Sequence, residues 1–181
     1  MEERLKLSRE STAAEVDATE YRRLVGSLRY LVHKWPDLAF SIGFVSRFME
    51  WPTQEHMTAV KRILRYVART INYGCRYGKA VEGQLVSYSK SDLTGDIDTR
   101  KSTSGTLFFY GDSLVSWHSL KQKVVALLSC EAEYVAATTA ATQGVWLARL
   151  LVDFMGKSAD TVKLKVDNQS ALALSKNPVF H

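Results

Sequence analysis

A chain of 181 residues with 46% apolar content is long enough to bury a core. No stretch approaches the ~18 consecutive apolar residues of a membrane span, and the charged start Met1-Glu2-Glu3-Arg4 lacks the apolar centre of a secretory signal, so a soluble intracellular chain with no membrane partner is expected. The formal net charge of +5 sits in the N-terminal part: residues 1–80 carry 14 Lys/Arg against 9 Asp/Glu, and residues 81–181 carry 10 against 10.

Residues 1–16 read as a polar lead-in. Tyr21, Leu24, Val25, Leu28, Leu31 and Val32 then recur at helical spacing and predict a first helix. Pro36 at a favoured first position, followed by Leu38, Ile42, Val45 and Met49, predicts a second helix, closed by Trp51-Pro52. Thr53 caps a third, in which Met57, Val60, Leu64 and Val67 form an apolar stripe. Lys61, Arg65 and Arg69 stand four apart on another face of that helix, and with Arg62 they form a candidate nucleic-acid-binding stripe. The competing reading is an ordinary solvated helix face.

Near Tyr73-Gly74 the period changes from helical to alternating, so a helical domain over 1–72, a linker over 73–84 and an α/β domain over 85–181 are expected. The run Leu85 to Asp92 reads as a strand, Gly105 to Tyr110 as a second, and Leu114 to His118 as a third after the turn at Gly111-Asp112. Val124 to Leu128 suggests a further short strand before a long Ala-rich helix from about Glu131 to Met155, ended by Gly156. Val162 to Val166 alternates as a strand, and a short helix through Ala171, Leu172 and Leu174 ends at Pro178. A strand reached through a crossover helix pairs in parallel, so the strand ending at Asp167 should lie beside the one carrying Lys90, their ends converging on Glu133.

That convergence raises the chemistry. Two divalent cations about 3.5–4 Å apart can activate water and stabilise a leaving oxygen in phosphodiester cleavage, and they need several carboxylates arriving from different elements. Glu133 and Asp167 suit that role, whereas a lysine stands at the third place. Taken singly, an acid near a helix start usually serves the macrodipole, and an Asp at a strand end usually serves a turn or cap. Cys75 and Cys130 have no metal-like spacing and are expected to be reduced thiols. His33, His56, His118 and His181 are too scattered for a ligand set, and Trp35, Trp51, Trp117 and Trp146 are core candidates.

The words Tyr88-Ser89-Lys90-Ser91-Asp92-Leu93-Thr94-Gly95-Asp96, Arg100 to Gly105, Ser116 to Gln122, Glu131-Ala132-Glu133-Tyr134-Val135-Ala136, Asp167-Asn168-Gln169-Ser170-Ala171 and Lys176 to His181 resemble the ribonuclease H domain of copia-type retrotransposon Pol polyproteins. Upstream, Tyr21 to Leu31, Trp35-Pro36-Asp37 and Val60 to Tyr66 resemble the thumb and connection that follow that family's reverse transcriptase palm. The resemblance covers nearly the whole chain. It implies a ribonuclease H-like α/β fold with a mixed sheet and a crossover helix, preceded by about three helices.

It also implies catalytic acids in the order strand Asp, helix Glu, strand Asp and a later Asp, holding Mg2+. Glu133 and Asp167 match the middle two, Lys90 stands at the first, and the fourth is expected beyond His181, together with a last strand and helix. The polymerase Asp-Asp motif is expected upstream of Met1. Asp92 faces the same side as Lys90 but lies about 6–7 Å further along the strand, beyond one metal-ligand shell, and it matches an Asp already present in the family pattern. Replacing Asp by Lys changes the local charge by two units, which opposes Mg2+ and favours an ion pair with the remaining acids.

The expected function is therefore that of a C-terminally truncated, catalytically inactive Pol remnant that retains nucleic-acid binding, with RNA–DNA hybrids, other Pol segments or a host protein as partners. Two alternatives stand beside it. One is a functional Mg2+-dependent ribonuclease H using Glu133 and Asp167. The other is a host-adopted protein-interaction module.

Overall fold

The computed structural model describes residues 6–78, 83–156 and 161–177. The chain divides between Cys75 and Arg76 into two compact units. The first is helical and the second is a mixed α/β unit built on a four-stranded sheet.

In the first unit, helix α1 spans Ala18–Leu31, and the Asp17 side chain caps it by accepting from Thr19 N–H at 2.8 Å. The expected second helix is broken up. A 3-10 turn over Pro36–Leu38, α2 over Ala39–Val45 and a second 3-10 turn over Ser46–Phe48 replace one continuous element. This path buries Leu38, Ile42, Phe44, Val45 and Phe48 on several sides of the segment, which one straight apolar stripe could not do.

Helix α3, Gln54–Arg69, begins with a reciprocal cap in which Thr53 N–H donates to His56 Nδ1 at 3.0 Å. Its buried stripe is His56, Met57, Ala59, Val60 and Ile63, whereas Leu64, expected inside, is exposed. At about 100° per residue, either Ile63 or Leu64 could have continued the stripe from Val60, and tertiary packing selects Ile63. The lead-in is less polar in use than in composition. Leu7 is buried, Ser8 C=O lies 3.1 Å from His56 Nε2, and Glu15 bridges Thr53.

In the second unit, strands β1 (Leu85–Ser91), β2 (Thr103–Tyr110), β3 (Ser113–Lys121) and β4 (Lys163–Val166) form a sheet of order β3-β2-β1-β4. β1 to β3 are an antiparallel meander, and β4 pairs in parallel with β1, Tyr88 opposite Lys165 and Ser89 opposite Val166. Val124–Leu128 forms no strand. Val124, Val125, Leu127 and Leu128 are exposed, and Leu127 N–H donates to Glu131 Oε2 at 2.8 Å, so this apolar run leads into a helix cap instead of a sheet edge.

Helix α4, Ser129–Met155, is long and apolar enough by composition to cross a bilayer, yet it lays Ala132, Ala136, Ala140, Gly144 and Leu147 onto the sheet. Small residues let the backbones approach: a Cβ added at Gly144 would stand 3.2 Å from Val162 Cγ1 and 3.5 Å from Phe108 Cε1. The helix ends at Gly156, whose φ of 63° is the left-handed closing conformation. Helix α5, Gln169–Lys176, follows β4; Pro178, expected to stop it, lies outside the described residues. Of the tryptophans expected in cores, Trp35 packs partly against the first core and Trp117 is half-buried, but Trp51 and Trp146 are exposed.

Candidate functional site

The parallel pairing of β1 with β4 sets Lys90 and Asp167 side by side at the strand ends. Cα partners share a face in such a ladder, so one step beyond the Ser89–Val166 pair both side chains point the same way. Lys90 Nζ donates to Asp167 Oδ2 at 2.9 Å, and both side chains remain largely in solvent. The pair favours its own charged forms: Asp167 raises the Lys90 pKa, and Lys90 lowers that of Asp167. The capping role that an Asp at a strand end would ordinarily take falls to Asn168, whose Oδ1 accepts from Ala171 N–H at 2.9 Å.

Glu131 and Glu133 divide their roles in the same manner. Glu131 is exposed and caps the start of α4, whereas Glu133 is buried and its Oε2 has no hydrogen-bond partner among the described residues. Burial raises the Glu133 pKa, the Ser91 backbone N–H opposes that by donating to the carboxylate, Asp167 raises it further and Lys90 lowers it. A buried acceptor without a donor costs roughly 1–3 kcal/mol, which singles Glu133 out as a group not placed for stability.

Gln122 was not singled out as a site residue by sequence, yet it organises this corner. Its Nε2 lies within hydrogen-bond distance of Ala132 C=O at 2.8 Å, Ser104 Oγ at 2.9 Å and Ser91 Oγ at 3.1 Å, tying the end of β1, strand β2 and the first turns of α4 together. Its only signal in sequence was its place in the word Ser116 to Gln122. Gln122 Oε1, Ser87 Oγ and Ser89 Oγ share with Glu133 Oε2 the lack of a partner among the described residues, so the packing of β1 against α4 is unusually polar.

Asp92 is occupied elsewhere. Its Oδ1 accepts from Thr103 N–H and its own N–H donates to Thr103 C=O, closing the loop between β1 and β2, and any Cβ at Gly95 would overlap its carboxylate. Within that loop Asp96 is buried and accepts from Thr99 N–H and Oγ1, both at 2.8 Å, and from Lys121 Nζ at 2.9 Å. Burial pushes the Asp96 pKa up, but Lys121 and the Thr99 donors outweigh it and hold it at about 2.

Among the described residues no group of three or more His, Cys, Asp or Glu side chains is placed to hold a metal ion. Of the two acids expected as ligands, one has its Oδ2 taken by an ammonium, so the residues present do not fit a pair of hard cations. On α3, Lys61, Arg65 and Arg69 are exposed and Arg62 is half-buried, on the side away from Met57, Val60 and Ile63. Tyr66 is exposed among them, and its hydroxyl donates to Asp37 Oδ2.

No protein-family model and no solved structure matches the chain. It is 40% identical over 176 residues to the retrovirus-related Pol polyprotein from transposon RE1 of Arabidopsis thaliana, covering 97% of this chain and 12% of that protein. It is 41% identical over 184 residues to the Pol polyprotein from transposon TNT 1-94 of Nicotiana tabacum, covering 98% of this chain and 14% of that one. It is also 44% identical over 128 residues to secreted RxLR effector protein 161 of Plasmopara viticola, covering 70% of this chain and 90% of the effector. The chain thus spans about an eighth of the curated Pol polyproteins it matches over nearly its whole length, and its homologues over that stretch are copia-type retrotransposon Pol polyproteins.

Proposed function

We propose that this chain is a Pol-derived protein whose second unit is ribonuclease H-like but does not cleave RNA–DNA hybrids, and whose remaining activity is nucleic-acid binding through Lys61, Arg62, Arg65 and Arg69. The observation that carries this reading is the 2.9 Å approach of Lys90 Nζ to Asp167 Oδ2. An ammonium on that oxygen supplies the positive charge a divalent cation would supply, and it repels any cation that approaches Glu133. Mg2+ is therefore not a working cofactor here.

The test is incubation of the purified chain with a labelled RNA–DNA hybrid in Mg2+ or Mn2+, beside Lys90→Asp and Glu133→Gln. No cleavage by the parent is expected. Cleavage by the parent that Glu133→Gln abolishes would overturn the reading. Hybrid binding across salt tests the helix separately: replacing Lys61, Arg65 and Arg69 by Gln should flatten the logarithmic salt slope by about 0.9 for each phosphate that is no longer neutralised.

One comparison favours a second reading, a protein-interaction module. The effector is aligned over 90% of its length, so a relative made of little more than the matching stretch exists apart from a Pol polyprotein. A folded chain that binds neither hybrid nor single strands at low salt is the result this reading expects.

A further inference from the structure

The face of the sheet turned away from α4 carries an aromatic and basic surface. Alternation along β1 puts Leu85, Ser87 and Ser89 toward the helix side and leaves Tyr88 outward, and the register brings Lys165 of β4 opposite Tyr88 and Lys163 opposite Val86. On the other flank Phe109 meets Tyr88 edge-on, ring centroids 5.8 Å apart, while Trp117 of β3 is half-buried opposite Leu107, the residue that pairs with Tyr88. Tyr88 is 43% exposed, so much of its ring is open to a ligand. Lys165 Nζ lies 4.7 Å from the ring centroid and donates to the Tyr88 hydroxyl at 2.9 Å. That places an ammonium at the rim of a stacking surface.

The charge on these strands has one sign. β1 to β4 contain the four lysines Lys90, Lys121, Lys163 and Lys165 and no Asp or Glu. Lys90 and Lys121 are paired with Asp167 and Asp96, which leaves Lys163 and Lys165 as exposed cations on β4, Lys165 beside the Tyr88 ring. An exposed ring with an ammonium at its rim and a second exposed lysine two residues along the same strand, on strands without acids, complements a chain whose bases offer π-faces and whose backbone is anionic. A paired duplex hides its base faces and offers this surface only phosphates. An acidic peptide would satisfy the lysines but has no general use for the exposed tyrosine ring.

We propose that this sheet face binds single-stranded nucleic acid, one base stacking on Tyr88 and the adjoining phosphates meeting Lys163 and Lys165. It extends the nucleic-acid-binding part of the proposed function to a second surface, on the other unit, with a different substrate form.

The experiment is fluorescence anisotropy of labelled oligouridine and oligothymidine, alongside a labelled RNA–DNA hybrid. It compares the parent, Tyr88→Ala, Tyr88→Phe, Lys163→Gln with Lys165→Gln, and the α3 variant carrying Gln at 61, 65 and 69, all checked for folding by circular dichroism. Tyr88→Ala should weaken single-strand binding roughly 5- to 150-fold, the range for removing one base-stacking partner, and leave hybrid binding unchanged, while Tyr88→Phe should stay within about twofold of the parent because the ring is kept. The double lysine variant should reduce the salt dependence of single-strand binding. Folded Tyr88→Ala that binds single strands as the parent does would overturn the proposal, as would loss of all single-strand binding in the α3 variant. Hybrid binding that ignores the α3 variant, with single-strand binding still dependent on Tyr88, would remove the basic helix from the proposed function and leave this inference standing.

Discussion

Replacing Asp96 by Asn should cost the second unit about 2 kcal/mol at pH 6. The Asp96 carboxyl falls from 3.8 to about 2 on folding, against the opposing effect of burial, because Lys121 and Thr99 favour its charged form. At about 1.36 kcal/mol per pH unit, a drop from 3.8 to about 2 corresponds to about 2 kcal/mol. A depressed pKa stabilises the folded state fully above the unfolded value and loses that contribution as pH falls through the folded one, so the advantage over Asn should shrink to roughly half at pH 3. Asn keeps the size of the side chain and an acceptor for Thr99 N–H, which makes the charge the main thing removed. Urea unfolding of parent and variant, followed by far-ultraviolet circular dichroism at pH 6 and pH 3, reads both differences. Equal stability at pH 6, or a gap that does not narrow at pH 3, would refute the reasoning that Lys121 and Thr99 stabilise the charged form of Asp96 in the fold.

Glu133→Gln should stabilise the second unit at neutral pH: burial raises the carboxyl above its usual 4.5, so ionised Glu133 weakens the fold as pH rises past that value, and Gln removes the slope. Thermal unfolding of both proteins at pH 4 and pH 7 checks it, and a less stable Gln variant at pH 7 would mean the carboxylate has a partner that stabilises it. Phe108→Ala should cost about 3–5 kcal/mol in urea unfolding, because the ring is fully buried against Gly144 and its cavity is walled by sheet and helix backbone that cannot collapse into it.

The sequence by itself determined the ordering of elements and the one long-range pairing that matters. Alternation in Leu85–Ser91 and Lys163–Val166, separated by a helix ended at Gly156, predicts a parallel crossover, and with β4 set beside β1 it brings Lys90 and Asp167 together. Thr53 as a cap was legible for the same reason, since the chemistry is local. Several assignments depended on which neighbour arrived from elsewhere in the chain. Ile63 and Leu64 have equal claims to an apolar stripe until the helices around α3 select one. The apolar run Val124–Leu128 resembles a strand until Glu131 takes its backbone into a cap. Trp51 and Trp146 resemble core residues until nothing among the described residues buries them.

The candidate site divides along the same line. Residue type and spacing put Glu133, Asp167 and Lys90 in one place, and the Asp-to-Lys charge change already argued for an ion pair. Only the tertiary structure decided that the lysine holds Asp167 and not Glu133, that Asn168 and Glu131 take the capping roles, and that Gln122 ties the corner together. Capping and strand alternation are properties of consecutive residues, so sequence carries them. Burial and hydrogen-bond partnership belong to the three-dimensional neighbourhood, and Glu133 Oε2 became a buried acceptor without a donor only when α4 was laid against β1.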